Sequence, residues 1–461
     1  MKITLPAGSF LIGTAVLTAG IAGSVGCGGA PATGDGEVVV TQEAVIGDAL
    51  SGTDPTKFNS GKNVFTRSLS NSDGLGPLFN GYGCVACHGS GSIGGGGNVT
   101  EARFGKLTNG LFDAMESIGG PIRQSTGIGG FNIGGLNCQS GHDNNPPVGA
   151  TLFANRLTSP LFGLGLVDSL PDGRFDTLAS REPAAIRGVV NRVRIALANP
   201  LDPSQVVGGT RVARFGWKAA RPSLAEFAAD AARTELGLTS SSCNAGVPNL
   251  TFALENRPNQ SPSNAVINGC PDDTIPGTDL DFAVQSQQCR RDPATGASGS
   301  INKLDPTIEL LTFFSAHLAP PTPVPISANT AAARGQALFN SASLGCSGCH
   351  RTDTDVFVST SAGGVPAGIV FAPYSDFLVH DMGSLGDQMG NTGDSVAVTR
   401  RMRTAPLWGL RVRNNLLHDG RTTDRAAAIT AHAGQGAAAS AAFTALTSQD
   451  KNDLLQFLGT L

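Results

Sequence analysis

The chain has 461 residues, which is enough for two or three domains with separate cores. Charged residues make up 15% and aromatic residues 6%, whereas glycine occurs 61 times and proline 27 times. This composition favours a loop-rich globular protein over a coiled coil or a repeat solenoid. The net charge of −4 and the lack of a basic run give no electrostatic reason to expect a nucleic-acid partner.

The first segment of the chain has the pattern of an export signal. Lys2 precedes an apolar stretch from Leu5 to Val25 whose small residues make it too weakly apolar for a spanning helix. Residues 1–27 are therefore predicted to be a cleaved signal. Cys27 follows a small residue, as in bacterial lipoproteins, so we expect it to be lipidated; an ordinary cleaved signal is the alternative. Residues 28–45 lack periodicity and are predicted to be a tether.

Two CxxCH motifs carry the chemistry that the sequence predicts. The first reads CVACH over residues 84–88, and the second reads CSGCH over residues 346–350. Two thiols three residues apart on one helical turn can reach both vinyl groups on one edge of a haem, and the adjoining His then binds iron. The residues predicted to attach two haem c groups are Cys84, Cys87, His88, Cys346, Cys349 and His350. A thioredoxin-like pair and half of a zinc site are the alternatives.

Four further cysteines remain after the two motifs and Cys27 are set aside. They are Cys138, Cys243, Cys270 and Cys289. An even remainder in an exported protein predicts two disulfides, and the spacing leaves all three pairings open. Four free buried thiols are the alternative.

The surroundings of the two motifs predict an internal duplication. LFN precedes each motif, at residues 78–80 and 338–340. TSPLFGL at 158–164 parallels TAPLWGL at 404–410, and LPDGR at 170–174 parallels LHDGR at 417–421. Residues 329–339 and 448–461 have helical periodicity. We expect a mainly α fold with two cytochrome-c-like domains in tandem, residues 46–200 and 326–461, and a loop-rich intervening segment, residues 201–325, that packs over one haem.

The two repeats differ in their histidines. The second repeat carries His418 and His432, where the first has Pro171 and a residue near Ala185. We expect His432 to be the distal ligand of the second haem, which would leave the first haem with an open iron position. Three other residues are rivals of His432 for this position: His380, Met382 and Met402. His418 is predicted to tune the iron or a proton path without binding the metal.

The remaining candidates are aromatic and charged. Trp217 and Trp408 could each lie between the haems and assist electron transfer, although packing is the commoner role of a Trp. Three charged residues are candidate groups at the first haem: Arg103, Arg156 and Glu182. His142 lies in a polar loop and is expected to be exposed, and His317 is expected to be structural.

Several motifs resemble those of the bacterial di-haem oxidoreductases, peroxidase-like proteins formerly called thiol oxidoreductases. The matching runs cover nearly the whole mature chain: GLGPLFN (74–80), GGP (119–121), FGLGL (162–166), RFGWKA (214–219), HDMG (380–383), APLWGL (405–410) and LHDGR (417–421). More distantly, the chain is similar to di-haem cytochrome c peroxidases, to di-haem enzymes that mature tryptophan cofactors, and to haem rubber oxygenases. The resemblance implies that His432 is the distal ligand and that His418 is the His of the His-Asp-Gly motif; calcium is a further implied cofactor.

The chain also departs from this family. Pro171 replaces a Trp that is frequent in the peroxidases, and residues 89–100 lack their distal-loop His. Their catalytic Glu has no clear counterpart, and the Thr near a bridging calcium is missing around Arg413. These departures weaken the inference of peroxidase activity more than that of the fold.

The sequence and the resemblance together predict an oxidoreductase of the periplasm or cell envelope, anchored to the outer membrane by a lipid. A small cytochrome is the expected electron donor to the second haem, and electrons then pass to the first haem, which reacts with a peroxide or another small oxidant. One alternative is an electron-transfer cytochrome without substrate chemistry. Another is oxygenation or oxidation of an organic or protein substrate.

Overall fold

The computed structural model describes residues 46–70, 75, 78–116, 120–127, 129–133, 136–140, 147–197, 199–237 and 306–461. The predicted signal, the tether, Cys27 and His142 lie outside the described residues, as do three of the four cysteines predicted to form disulfides; of Cys138 only the backbone is described. The disulfides and the domain boundaries therefore stay predictions. Within the described ranges, no helix has both the length and the apolar character needed to cross a bilayer.

The helices begin where side chains cap them. Asp54 Oδ1 accepts hydrogen bonds from the first backbone amides of the helix that begins at Pro55. In the same way Ser223, Thr330 and Thr447 cap the helices that begin at Leu224, Ala331 and Ser448. The α-helices are α1 Pro55–Thr66, α2 Cys84–Cys87, α3 Leu164–Asp168, α4 Asp172–Arg181, α5 Leu224–Leu236, α6 Pro306–His317, α7 Ala331–Phe339, α8 Val396–Thr399, α9 Arg425–Thr430, α10 Ala437–Ala445 and α11 Ser448–Leu458.

The strands form several small antiparallel sheets. They are β1 Leu78–Phe79, β2 Thr100–Thr108, β3 Leu111–Asp113, β4 Ile122–Arg123, β5 Thr126–Gly127, β6 Gly129–Ile133, β7 Leu136–Ser140, β8 Leu152–Leu157, β9 Arg192–Arg194, β10 Thr210–Val212, β11 Val379–Asp381 and β12 Arg401–Arg403. In the largest sheet β2 pairs with β3, β4 and β8. The other pairs are β1 with β5, β6 with β7, β9 with β10, and β11 with β12.

The prediction of a mainly α fold is wrong, and the two tandem cytochrome-c-like domains are not confirmed. Among the described residues 35% are helical and 15% are in strands, with many loops and mixed small sheets. The discrepancy arises largely in residues 100–157, whose glycine-, proline- and asparagine-rich stretches suggested loops but which contain β2 to β8. Short strands joined by tight turns leave few residues to show a period of two, so their signal in the sequence is weak.

Two close helix pairs flank the CxxCH motifs. Helix α1 packs on α6, and a Cβ on Gly61 would lie 2.4 Å from Leu310 O. Helix α7 packs on α11, and a Cβ on Gly335 would lie 1.9 Å from Asp453 O. Only glycine permits such close approach of two backbones. In each pair one helix precedes a motif along the chain: α1 ends at Thr66, before β1 and Cys84, and α7 ends at Phe339, before Cys346.

The repeated runs have partly kept the same local structure. Gly163 and Gly409 each lie just before a short helical turn, and both have a left-handed backbone conformation, with φ of 69° and 71°. The second pair of repeated runs, LPDGR and LHDGR, differs in structure. Pro171 precedes α4, whereas Leu417 lies in a loop with a φ of 68°. A proline has a fixed negative φ and therefore cannot take the conformation of Leu417. The two repeats thus have the same local structure at Gly163 and Gly409 and a different one at the Asp-Gly runs.

Candidate functional site

Each CxxCH motif lines a cavity. The C-terminal cavity, defined here by Cys346, Cys349, His350 and His432 in its wall, has a volume of about 450 Å³. The N-terminal cavity, defined by Cys84, Cys87 and His88, has a volume of about 190 Å³. The first volume lies in the range of cofactor pockets, and the second lies below it.

Both motifs fold as a single helical turn. Helix α2 spans the first motif, and the His88 amide donates to Cys84 O at 2.9 Å. A 3₁₀ turn, Cys346–Gly348, begins the second, and the His350 amide donates to Cys346 O at 3.0 Å. One turn of helix brings residues three apart onto the same face, so both thiols of a motif face the same side.

The imidazoles of the predicted ligands are oriented by backbone carbonyls. Nδ1 lies 2.9 Å from Tyr374 O in His350, 2.9 Å from Ala428 O in His432, and 3.3 Å from Gly95 O in His88. A carbonyl accepts only, so Nδ1 carries the proton and Nε2 keeps its lone pair. This second-sphere bond is the usual way in which a metal-binding His is held.

Burial favours the neutral form of these groups. It lowers the pKa of His88 and of His350 to about 4, and it also lowers the pKa of His432. Neutral imidazole is the form that binds a metal. Burial raises the pKa of Cys84 to about 12 and that of Cys346 to about 11. Both thiols are therefore protonated at neutral pH in the absence of a bound group.

His432 faces His350 at the spacing that one metal ion requires. The centroids of the two rings are 6.5 Å apart, with an interplanar angle of 61°. A metal ion about 2.0 Å from each of two imidazole nitrogens separates the ring centroids by about 6 Å. The two lone pairs, the paired thiols and the size of the C-terminal cavity therefore fit a haem between these histidines.

The rival ligands are less suitably placed. His380 is buried; its Nε2 lies 3.0 Å from Asp376 Oδ2 and its Nδ1 lies 3.8 Å from Cys349 Sγ. Although burial opposes a charge, the bonds to Asp376 and Cys349 raise the pKa of His380 to about 11, so a protonated ring has no lone pair to offer. Met382 and Met402 line the same cavity, and Met382 packs beside His432.

The N-terminal cavity has a different set of donors. Among the described residues that line it, His88 is the sole histidine, and none is Met, Lys or Tyr. Five charged side chains line it instead: Glu101, Arg103, Arg156, Asp230 and Glu235. A haem attached here would have one protein ligand from this wall, whereas the C-terminal cavity offers two.

A pair of carboxyl groups lies in the N-terminal cavity. Burial and the adjacent Glu101 carboxylate raise the pKa of Glu235 well above its usual range. Asn80 Nδ2 donates to Glu235 Oε2 at 2.7 Å, and Glu101 forms an ion pair with Arg103. A second carboxyl group at close range disfavours ionisation of Glu235, so its carboxyl group keeps a proton to a higher pH than an isolated glutamate does.

Trp217 lies in the wall that the two cavities share. Leu157, Thr158 and Ser159 line both cavities with it. Its Nε1 donates to Leu157 O at 2.8 Å, which fixes the indole. His418 lines the C-terminal cavity at the edge of this ring, with centroids 6.3 Å apart, and burial lowers its pKa.

The other predicted residues have mixed positions. Arg156 lines the N-terminal cavity and pairs with buried Asp387 at 2.7 Å. Trp408 packs against Phe371 and is not among the described residues that line either cavity. Glu182, expected at the first haem, interacts with Asp376 beside the second motif.

Four residues of the site were missed by sequence reasoning: Glu101, Glu235, Arg403 and Arg413. Glu101 and Glu235 come from β2 and α5, and nothing in their local sequence marks them. Arg413 had been noted only as the place where a family threonine is missing. An amphipathic analysis of α5 could have shown that Glu235 shares its turn with buried residues.

Residues 264–461 match the model of a family described as "Di-haem oxidoreductase, putative peroxidase". This stretch, somewhat less than half of the chain, is similar to that family, and the match agrees with the family that the sequence resembles. The family description implies haem cofactors, in agreement with two cavities that each contain a CxxCH motif. The thioether bonds and the calcium stay predictions.

Other comparisons add little. No curated protein matches the chain significantly. Among solved structures, hydrazine synthase from Kuenenia stuttgartiensis, pressurised with xenon, is 14% identical. The match covers 94% of this chain and 100% of that chain, with a TM-score of 0.33. A TM-score of this size does not establish a common fold.

Proposed function

We propose that the chain is a c-type di-haem oxidoreductase that reduces a peroxide in the N-terminal cavity with electrons received in the C-terminal cavity. The asymmetry of the cavities carries this proposal: His350 faces His432, whereas His88 has no His or Met opposite it among the described lining residues. When bound, the two haems supply one-electron transfer and, where iron keeps an open position, reductive cleavage of a peroxide.

The chain's own residues anchor and orient each group. Cys84 and Cys87, and likewise Cys346 and Cys349, form the thioethers. The carbonyls of Gly95, Tyr374 and Ala428 fix the rings of the three ligating histidines so that each Nε2 faces its cavity.

Reduction of a peroxide to water, or to an alcohol and water, takes up two electrons and two protons. The raised pKa of Glu235 and its place in the cavity wall suit it to act as the general acid that delivers one proton, and solvent supplies the other. Glu101 pairs with the Arg103 guanidinium, and Arg156 adds positive charge to the same wall.

The shared wall supports electron transfer between the cavities. Trp217 lines both, and its indole is held by Leu157 and by the edge of His418. An aromatic ring at this position shortens the path through saturated groups. His418 acts through Trp217 and is a positioning residue.

The location and partners are proposed on the sequence alone. The export signal and Cys27 support a lipid-anchored protein of the periplasm or outer membrane. An exported protein of net charge −4 with an accessible second haem suits a small cytochrome as electron donor.

The first test counts the haems and locates the open one. The pyridine haemochrome spectrum should give two haems c per chain, and the reduced protein should bind one carbon monoxide. A Cys84→Ala/Cys87→Ala variant should keep one haem and bind no carbon monoxide, whereas Cys346→Ala/Cys349→Ala should keep the binding. Carbon monoxide on the haem of the second motif would refute the assignment of the open site.

The second test addresses the reaction. Hydrogen peroxide is mixed with the protein and a reduced donor cytochrome in a stopped-flow spectrometer. Donor oxidation should exceed the background rate and should disappear in Cys84→Ala/Cys87→Ala. If the wild-type rate equals the background, the peroxidase proposal fails, and electron transfer without substrate chemistry becomes the better interpretation.

A further inference from the structure

Two arginine side chains in the wall of the C-terminal cavity donate hydrogen bonds to neutral carbonyls alone among the described residues, and the Arg403 guanidinium also lies 5.5 Å from the centroid of the Phe377 ring. Arg403 donates Nε to Gly216 O at 2.7 Å and Nη1 to Thr404 O at 3.1 Å. Arg413 donates Nη2 to Pro406 O at 2.7 Å and to Trp408 O at 3.0 Å. Within the described part of the chain, neither guanidinium forms an ion pair with a carboxylate, and the buried Nε of Arg413 has no hydrogen-bond partner.

Other buried arginines of this chain do have carboxylate partners. Arg211 pairs with Asp168 at 2.5 Å, and Arg214 pairs with Asp172 at 2.6 Å. A buried charge without a counter-ion is unfavourable, and removal of one partner from a buried pair typically costs about 3–5 kcal/mol. Arg403 and Arg413 are therefore incomplete without an anion.

The two guanidinium groups are also close enough to repel one another. Burial, and for Arg403 also the charge of Arg413, lowers the pKa of each to about 10. Both remain charged at neutral pH. Two like charges at one buried place indicate a ligand with negative charge, and the cavity they line is the one that fits the second haem.

We propose that Arg403 and Arg413 hold the propionate carboxylates of the haem in the C-terminal cavity. The inference rests on the proposed function, because it requires a haem attached to Cys346 and Cys349. A haem carries two propionates side by side on one edge, and guanidinium groups bind carboxylates with two parallel hydrogen bonds. A small inorganic anion or an anionic substrate would satisfy the same donors, and the experiments below separate these cases.

Arg403 also connects this anion site to the wall between the cavities. Its amide donates to Trp217 O at 2.7 Å while its Nε donates to Gly216 O, so one residue holds the turn that carries the indole. Arg403 and Arg413 are thus positioning residues. Their positive charges favour the reduced iron, because reduction adds an electron nearby.

The test measures the midpoint potential of the second haem by spectroelectrochemical titration. Arg413→Gln should lower it, so that the ratio of oxidised to reduced haem at a fixed potential rises about tenfold, or 59 mV for one electron. Arg413→Lys keeps the charge and should retain most of the wild-type potential. Arg192→Gln is the matched control, because Arg192 lies at the surface, pairs with Asp176 and is absent from the walls of both cavities.

A crystal structure of the wild-type holoprotein gives a test that does not depend on the folding of a variant. Propionate oxygens should lie within about 3.2 Å of the guanidinium nitrogens of Arg403 and Arg413. The inference is overturned if the propionates contact neither arginine, or if a separate chloride or phosphate lies between the two arginines. It is also overturned if the midpoint potential of Arg413→Gln equals that of Arg192→Gln. A haemochrome count below two would instead defeat the proposed function itself.

Discussion

Replacement of Glu235 by Gln should change how the stability of the protein depends on pH. In the folded protein burial and the Glu101 carboxylate raise the pKa of Glu235 above its ordinary value of 4.5, whereas in the unfolded chain both effects are lost. Between pH 4.5 and the folded pKa the native state therefore binds more protons than the unfolded state. The free energy of unfolding from this group is greatest below pH 4.5 and falls as the pH rises through that window.

The magnitude follows from linkage. A full difference of one proton changes the free energy of unfolding by about 1.4 kcal/mol per pH unit. Gln at this position has no proton to lose and can still accept the hydrogen bond from Asn80. Relative to wild type, Glu235→Gln should thus gain stability with rising pH, by up to about 1.4 kcal/mol per unit inside the window.

Urea unfolding at a series of pH values from 5 to 8 measures this difference for both proteins. The control is Glu309→Gln, which removes a half-exposed carboxylate paired with Lys57 and should cost roughly 0–1 kcal/mol. If the difference between Glu235→Gln and wild type stays constant over this range, or decreases with pH, the shared-proton description of Glu101 and Glu235 is wrong.

Three further predictions concern other parts of the molecule. His432→Ala should remove the low-spin signal of the second haem from the electron paramagnetic resonance spectrum and allow a second carbon monoxide to bind, whereas His418→Gln should leave the low-spin signal in place; an unchanged signal in His432→Ala would exclude His432 as a ligand. Gly335→Ala should destabilise the α7–α11 pair by about 2 kcal/mol, because a clash of up to about 3 kcal/mol exceeds the helix preference of Ala of about 1 kcal/mol. Amide exchange in both helices should then be about 30-fold faster, whereas Gly173→Ala, which meets nothing within 4 Å, should not accelerate exchange in α4. Trp217→Phe keeps an aromatic ring but loses the hydrogen bond to Leu157, which should lower the free energy of unfolding by about 1 kcal/mol. It should also slow electron transfer between the haems when peroxide is mixed with half-reduced protein, and an unchanged rate would remove Trp217 from the path.

Local features of the site could be predicted because each depends on a single turn of chain. The spacing of Cys84 and Cys87 places both thiols on one face of any helical turn, whatever surrounds it. The helices α7 and α11 were also recognisable, since their periodicity and caps lie within the segments themselves. His432 was proposed from its position in the second repeat, and the structure places its ring opposite that of His350.

The fold class could not be predicted in the same way. The small sheet around β2 joins strands from separate loops, and β8 pairs with β2 across more than forty residues. Strands of two to nine residues carry little pattern of their own, so pairing between distant segments decides whether they form. The helical motifs at both ends therefore suggested more helix than the chain contains.

The amino-acid sequence by itself predicts which thiols and histidines would attach two haems, because covalent attachment needs only residues that are neighbours along the chain. The tertiary structure decided which groups share a cavity: the carboxyl groups of Glu101 and Glu235, the indole of Trp217 in the common wall, and the charges of Arg403 and Arg413. Glu182, which was expected at the first haem, lies in the tertiary structure beside Asp376, near the second motif. These residues come from distant elements, and only the packing of those elements brings their charges close enough to shift pKa values and to bind an anion.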